Sequence, residues 1–217
     1  MIKILHLIET SGPGGAETVL LNLVTGIDRN KYQSIVGLLR KGWLYDQLFS
    51  KGADVRILPS GGSFDVRLLR SLVNLIKEER IDLVHSHLMD MSLYSSIAAK
   101  IGGIPHISTE HGDIHHFLKN GRLTTIKAYA IGHLSNKIVS VSRFTKEALI
   151  RKSRVNEEKV VVIYNGIPIV KHCAEGDRAK KKSELGIGEN DILVGSTGNL
   201  YPIKGHVYLL RAAKEIL

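Results

Sequence analysis

Apolar segments of strand length recur along this chain, and a helical pattern follows most of them. Several of these segments are continuous rather than alternating, which is typical of strands whose two faces are both covered by helices. Because helices between successive strands join those strands in parallel, the pattern predicts an α/β fold built on a doubly wound parallel sheet. The predicted strands are Lys3–Ile8, Ser34–Leu39, Val55–Leu58, Leu83–His85, His106–Thr109, Lys137–Val141 and Val160–Ile163.

Between these segments, apolar residues return at intervals of three and four positions, with charged residues on the opposite face. This spacing predicts amphipathic helices, each of which packs one face against the sheet. The predicted helices are Ala16–Ile27, Leu44–Ser50, Val66–Ile76, Met91–Ile101, Leu123–Leu134 and Phe144–Lys152.

The sequence changes character after Pro168, where a polar and basic stretch replaces the alternation. We expect one domain over residues 1–170 and a linker over residues 171–190, in which Lys180–Lys182 opens a short helix that ends near Gly186. Residues 191–217 have the pattern of a strand, a glycine loop and a helix, the opening of a second domain that is truncated at Leu217. The rest of a ligand site in that domain is expected downstream.

The composition indicates a globular protein, since 43% of the residues are hydrophobic and the only cysteine is Cys173. A lone cysteine excludes a disulfide framework and a cysteine-rich metal site. The apolar run at the N-terminus is too short for a signal peptide, and no run approaches the length of a membrane span. We expect a cytoplasmic protein.

Basic residues outnumber acidic ones, 30 to 21, which gives a formal net charge of +9 and predicts attraction to polyanions. Nucleic acid is not an expected partner, because aromatic residues make up only 6% of the chain and are not interleaved with the basic ones. An anionic membrane surface and phosphorylated small molecules remain as candidate partners.

The loop after the first predicted strand is rich in glycine and leads into a helix. In an open parallel sheet the ligand crevice lies at the carboxyl ends of the strands, where helix N-termini offer free N–H groups. Gly14 and Gly15 would let the backbone approach a diphosphate closely, and Glu17 follows them at the start of the helix. The spacing differs from the dinucleotide-binding fingerprint, so a simple tight turn is the alternative.

Histidines and acidic residues gather where the fourth and fifth predicted strands end. His85 and His87 end the fourth strand, and His111 and Asp113 follow the fifth. Zinc is the first ligand to consider, but these candidates are expected on loops and not paired along one face of a helix, so we predict no metal site. Hydrogen bonding to a hydroxylated or phosphorylated ligand is favoured. For His85 a purely structural role in the core is the equal alternative.

The remaining strand ends offer weaker candidates. Ser142 follows the sixth strand, where an N-cap of the next helix is the favoured role. Asn165 follows the seventh strand in an Asn-Gly turn signal. Lys204 stands at the mouth of the last helix, where its charge would suit a diphosphate leaving group, with an exposed loop lysine as the alternative.

Six motifs, taken in order, resemble those of the family 4 glycosyltransferases of GT-B architecture. No single motif is decisive, but their order along the whole chain makes the resemblance specific. The motifs are Gly14–Glu17, Asp82–His87, Ser108–Gly112, Val139–Ser142, Lys159–Ile167 and Gly198–Gly205.

The resemblance implies two Rossmann-like domains that face a cleft. The N-terminal domain would bind a carbohydrate or lipid-linked acceptor, and the C-terminal domain would bind a nucleotide-diphosphate-sugar, which is a substrate and not a cofactor. Transfer would retain the anomeric configuration and require no metal. The N-terminal domain of such enzymes often contacts anionic membrane, which suggests a peripheral position on the inner face.

The resemblance also assigns roles. Gly14 and Gly15 would approach the donor phosphates or the transferred sugar, and His111 would be the catalytic histidine that contacts this sugar near its reacting centre. Lys204 would stabilise the departing diphosphate, with Asn199 and Gly205 beside it in the donor site. The residues expected to line the acceptor side or the cleft are Glu17, His85, His87, Asp113, Ser142 and Asn165.

The sequence departs from the family pattern in two respects. Asn199 stands where the family often has arginine, and the acidic element that grips the nucleotide sugar is not found within the 217 residues. We therefore expect this chain to be inactive alone. One alternative is a split half that only binds an acceptor or a partner. The other is a different nucleotide-dependent enzyme, although Leu38–Gly42 lacks the acidic residue that would hold a ribose.

Basic residues flank two of the predicted helices and could meet an anionic membrane. Ordinary solvated helix faces are the favoured interpretation. These residues are Lys119, Arg122, Lys127, Arg143, Lys146, Arg151, Lys152 and Arg154.

Overall fold

The computed structural model describes residues 1–60, 65–112, 121–167, 175–188, 190–198 and 200–216. The chain divides into two compact units, Met1–Ile167 and Pro168–Leu217.

The first unit is built on seven parallel strands in the order β3-β2-β1-β4-β5-β6-β7. The strand order reverses between β1 and β4, and ligand crevices of open α/β sheets form at such a switch point. The α/β doubly wound sheet expected from the sequence is confirmed. The strands are β1 (Ile2–Ile8), β2 (Tyr32–Leu38), β3 (Asp54–Ile57), β4 (Leu83–His87), β5 (His106–Glu110), β6 (Lys137–Ser140) and β7 (Val160–Val162).

Helices cover both faces of this sheet. Residues of the third and fourth helices pack with Leu5 and Leu7, whereas residues of the first and second pack with Ile8. Successive strand residues point to opposite faces, so β1 contributes to both cores. The helices are α1 (Gly15–Gly26), α2 (Trp43–Ser50), α3 (Val66–Glu78), α4 (Met89–Gly102), α5 (Arg122–Leu134) and α6 (Arg143–Ser153), and a 3₁₀ helix covers Glu157–Lys159.

The second unit contains α7 (Glu175–Glu184), a 3₁₀ helix at Pro202–Lys204 and α8 (His206–Ile216). Helix α7 begins before Lys180, where the sequence analysis had placed its start. The strand expected ahead of the glycine loop is not formed among the described residues of 190–198. Ile192 and Val194 there are 91% and 71% exposed, and a strand without a hydrogen-bonded neighbour has nothing to hold it.

Within the described part of the chain, no helix has the length and apolar character needed to cross a bilayer.

Candidate functional site

The β1–α1 loop brings its backbone to the carboxyl edge of the sheet. Gly14 is the N-cap of α1, and Thr18 donates to its carbonyl oxygen from both its amide and its hydroxyl. A side chain at Gly14 would collide with the carboxylate of Glu17, whereas one at Gly15 would meet nothing. The carboxylate of Glu17, which is buried, therefore lies against Gly14 at the N-terminus of α1. The free N–H groups there carry partial positive charge.

His111 lies just beyond β5 and is tied to β4. Its Nε2 atom is 2.8 Å from Nδ1 of His87, and the two rings are stacked with centroids 5.1 Å apart. His87 is fully buried, so its ring orientation is set by the packing of the sheet. A half-buried imidazole is thus held at the strand end by a buried one.

Burial lowers the pKa of His111 to about 4, although the nearby Glu17 carboxylate opposes this shift. Burial also lowers the pKa of His87 well below its usual value, with further lowering from His85. Both rings are therefore neutral at pH 7. A neutral imidazole at position 111 can accept or donate one hydrogen bond to a ligand hydroxyl.

His85 and His87 both lie within β4, which extends two residues beyond the predicted end of the strand at His85, and His6 of β1 stands opposite His85 in the sheet. One ring nitrogen from each of these three histidines lies within 4.8 Å of the others. His6 was not among the site residues predicted from the sequence. A signal existed, because His6 occupies an inward position of an apolar strand, where a polar residue requires an explanation.

Leu88, which follows His87, has φ 69° and ψ 159°. This conformation is almost confined to glycine, so a leucine here stores backbone strain of roughly 1–3 kcal/mol. The strain lies between the last residue of β4 and the first turn of α4. Such strain is characteristic of a functional region.

A cavity of about 580 Å³ opens at the same sheet edge among residues of α3, α4 and α5. Its apolar walls include Leu68, Leu69, Met91 and Tyr94. Its charged lining residues are Glu9, Asp65, Asp90 and Lys127. The volume is typical of a small-molecule site with apolar walls and few polar groups. Glu9 was not among the site residues predicted from the sequence, although it is the first residue after β1 and therefore lies at the ligand edge of the sheet.

Glu9 accepts a hydrogen bond of 2.7 Å from the Met91 amide at the start of α4. Burial raises its pKa to about 7, with smaller contributions from Asp90 and Glu110, while the Met91 amide and Lys127 oppose the rise. The carboxyl is therefore poised to gain or lose a proton near neutral pH.

The other site residues predicted for the first unit do not belong to the histidine group or to the cavity at Glu9. Ser142 caps α6 by accepting from the Thr145 amide at 3.1 Å, the structural role that the sequence favoured. Asn165 is exposed beyond β7. Asp113 lies outside the described residues, as does Asn199 of the second unit.

In the second unit, Lys204 is exposed and ends a 3₁₀ turn. Gly205 follows with φ 69°, a left-handed conformation that favours glycine and directs the chain into α8. The lysine and the helix start are adjacent within this unit, as the motif predicts.

Two of the basic residues considered for membrane contact form ion pairs. Lys127 pairs with Asp90, and Lys146 pairs with Glu157. Lys119 lies outside the described residues. Exposed apolar side chains are found on α5, where Leu123 is 51% and Ile126 is 61% exposed.

Comparison with known proteins places residues 13–171 within the protein family described as Glycosyltransferase Family 4. The chain is 27% identical over 158 residues to the UDP-Gal:alpha-D-GlcNAc-diphosphoundecaprenol alpha-1,3-galactosyltransferase of Escherichia coli, covering 70% of this chain and 41% of that protein. It is 29% identical over 177 residues to the capsular polysaccharide biosynthesis glycosyltransferase CapH of Staphylococcus aureus, covering 78% of this chain and 48% of that protein.

Among solved structures, HepE from Anabaena in complex with UDP has the same fold, with a TM-score of 0.83 and 24% identity. The match covers 99% of this chain and 58% of HepE. The chain thus spans about half the length of the curated relatives described above.

Proposed function

Because the chain belongs to glycosyltransferase family 4, we propose that it contributes the acceptor-side domain of an enzyme that transfers a sugar from a nucleotide-sugar donor to an acceptor. The observation that carries the proposal is the arrangement at the switch point of the sheet. There the carboxylate of Glu17, which folds back against Gly14, acts electrostatically on a neutral His111 that is fixed by His87.

In this proposal His111 contacts the transferred sugar near its reacting carbon. A neutral imidazole that already uses Nε2 with His87 has Nδ1 left to bond a sugar hydroxyl. Gly14 and Gly15 approach the donor phosphates or the sugar, where the positive end of α1 favours negative charge. The transfer retains the anomeric configuration, as the family resemblance implies, and uses no metal at the diphosphate.

The donor side of the proposal rests on the second unit. Lys204 and Gly205 stand at the start of α8, which is a suitable place for a departing diphosphate. HepE was crystallised with UDP and with UDP-glucose, so uridine nucleotides are the first donors to test.

The acceptor side rests on the cavity at Glu9. Apolar walls with charged groups at Glu9, Asp65, Asp90 and Lys127 would suit an acceptor that combines hydroxyl groups with an apolar portion, such as a lipid-linked sugar. The E. coli relative is named for a diphosphoundecaprenol-linked acceptor, which makes this class the first to test. Exposed Leu123 and Ile126 beside Arg122 on α5 would let the protein lie on the cytoplasmic face of an anionic membrane.

A transfer assay with the full-length gene product tests the proposal. Radiolabelled UDP-sugars are supplied with lipid-diphosphate-linked monosaccharides, and the anomeric configuration of the product is read by NMR. We expect transfer with retention, and we expect Lys204→Ala to reduce kcat by about 10²–10³-fold because a charge that stabilises the leaving group is lost. Arg211→Ala on α8 is the control for charge removal in the same unit. Failure to use any nucleotide sugar would overturn the proposal.

A second candidate function is acceptor binding without sugar transfer, and an experiment on the 217-residue chain alone tests it. Because they span about half of the length of the relatives, we propose that alone they bind acceptor but do not turn over donor. Equilibrium binding of the lipid-linked sugar to this chain, with no sugar release from UDP-sugars, is the expected result. Turnover by this chain would contradict it.

A further inference from the structure

The first unit contains a buried group of three imidazoles. His6 lies in β1, His85 and His87 lie in the neighbouring β4, and one ring nitrogen from each is within 4.8 Å of the other two. His6 and His85 are partners in the strand register, and His85 and His87 are two positions apart. All three side chains therefore project from the same face of the sheet.

One nitrogen of each ring is held by a protein group, which leaves the other nitrogen available to a ligand. Nε2 of His6 is 3.3 Å from the Ser34 hydroxyl, Nε2 of His85 is 2.8 Å from the Thr109 hydroxyl, and Nδ1 of His87 is 2.8 Å from His111. Each of these partners can accept a hydrogen bond. If each ring donates outward, each carries its lone pair on the remaining nitrogen.

Two of the remaining nitrogens are buried without a hydrogen-bond partner, Nδ1 of His6 and Nε2 of His87. His6 is 1% exposed and His87 is fully buried, so bulk water does not reach them. A buried polar atom without a partner destabilises the fold, and lone pairs that face one another also repel. An ion or a water molecule between the rings would remove both costs.

We propose that His6, His85 and His87 bind a divalent transition-metal ion of the zinc class. Three neutral imidazoles with outward hydrogen bonds are the usual first and outer shells of such a site. Zinc–nitrogen distances of about 2.0–2.1 Å place ligand atoms roughly 3.4 Å apart, so the rings must close by up to about 1.4 Å. Rotations about the histidine side-chain bonds provide movements of this size.

The ion would join β1 to β4 and fix the tautomer of His87. With the metal on Nε2, His87 carries its proton on Nδ1 and donates to Nε2 of His111. The ion itself contacts no substrate in this arrangement. The inference is therefore independent of the proposed transfer reaction.

The test is the metal content of the 217-residue chain. Apoprotein prepared with a chelator is dialysed against Zn²⁺ or Co²⁺, passed through a desalting column and analysed by mass spectrometry for metal. We expect about one ion per chain and the visible absorption bands of four-coordinate Co²⁺. Thr109→Val, which removes only the partner of His85, should weaken metal affinity by about 10–100-fold.

His6→Gln should abolish metal retention. The matched control is His106→Gln, because His106 is equally buried but has both ring nitrogens bonded, to Ser86 and Ser135. A folded His106→Gln variant should retain the ion. If the wild-type chain retains no metal, the rings hold a buried water and the proposal is wrong; equal loss in His106→Gln and His6→Gln would also overturn it.

Discussion

Nδ1 of His87 lies 2.8 Å from Nε2 of His111, and this contact joins the last residue of β4 to the first residue beyond β5. His111 therefore takes its orientation from the sheet even though it stands at the start of a loop. Burial keeps both rings neutral, because the charged form of an imidazole is poorly solvated there. The pair presents one neutral, oriented ring nitrogen at the switch point.

Replacement of the His111 ring should reduce catalytic activity and leave the fold intact. His111→Ala in the full-length protein should reduce kcat by about 10²–10³-fold, because one preorganised contact with the reacting sugar is lost. Circular dichroism should show that the fold is retained, although Tm should fall somewhat because Nδ1 of buried His87 loses its partner. His133→Ala is the control, since this exposed histidine contacts the Tyr129 carbonyl of its own helix. An unchanged kcat in His111→Ala would contradict the role assigned to His111.

The carboxyl of Glu9 should make stability depend on pH. Its pKa is raised from 4.5 to about 7, chiefly by burial, so the folded protein holds a proton that the unfolded chain releases. This contribution to stability is fully present below pH 4.5 and is lost as the pH rises through 7. A shift of this size corresponds to roughly 3 kcal/mol at most.

Glu9→Gln tests this linkage, because the amide oxygen can still accept from the Met91 amide. The free energy of unfolding of the wild type should fall relative to that of Glu9→Gln between pH 5 and 8, measured by urea denaturation at fixed ionic strength. Asp90→Asn, which removes a charge near Glu9, should lower the pKa of Glu9 and reduce the effect. A pH-independent difference between wild type and Glu9→Gln would show that burial does not perturb this carboxyl.

Much of the fold follows from the sequence because each strand is a local pattern. The continuous apolar run of β1 and the charged outer face of α3 are set by neighbouring residues, so their positions are readable within a few residues. The missing strand near Ile192 shows the limit of this approach. An apolar run becomes a strand only where another strand supplies its hydrogen bonds, and sequence pattern does not contain that neighbour.

The same limit applies to the site. Gly14, Glu17 and His111 could be placed at the ligand edge, because each follows a predicted strand. The contact of His6 with His85 could not be predicted from the sequence. It depends on β1 and β4 being neighbours in the sheet, although β2 and β3 come between them in the chain. The cavity at Glu9 likewise requires the packing of α3, α4 and α5.

Substitution of Gly14 should reduce activity more than substitution of Gly12. A methyl group at Gly14 would collide with Oε2 of Glu17, so the carboxylate would have to move from its present position. We expect Gly14→Ala to lower kcat/KM by about tenfold or more, since misplacement by about 1 Å can cost as much as 10²-fold. Gly12→Ala, with no atom within 4 Å of the added methyl, is the control. Equal effects of the two substitutions would argue against a constrained role for Glu17.

Two substitutions at Leu88 separate the energetic cost of backbone strain from the contribution of side-chain packing. Its φ of 69° and ψ of 159° favour glycine, but its side chain also packs against the core formed by α1 and α2. Comparison of Leu88→Ala with Leu88→Gly cancels most of the lost packing. Glycine normally destabilises a folded protein relative to alanine by about 0.5–1 kcal/mol, whereas here it should stabilise by about 1 kcal/mol or more. The free energies of unfolding of the two variants from urea titration measure this difference, and the ordinary order, with alanine more stable, would show that Leu88 is not strained.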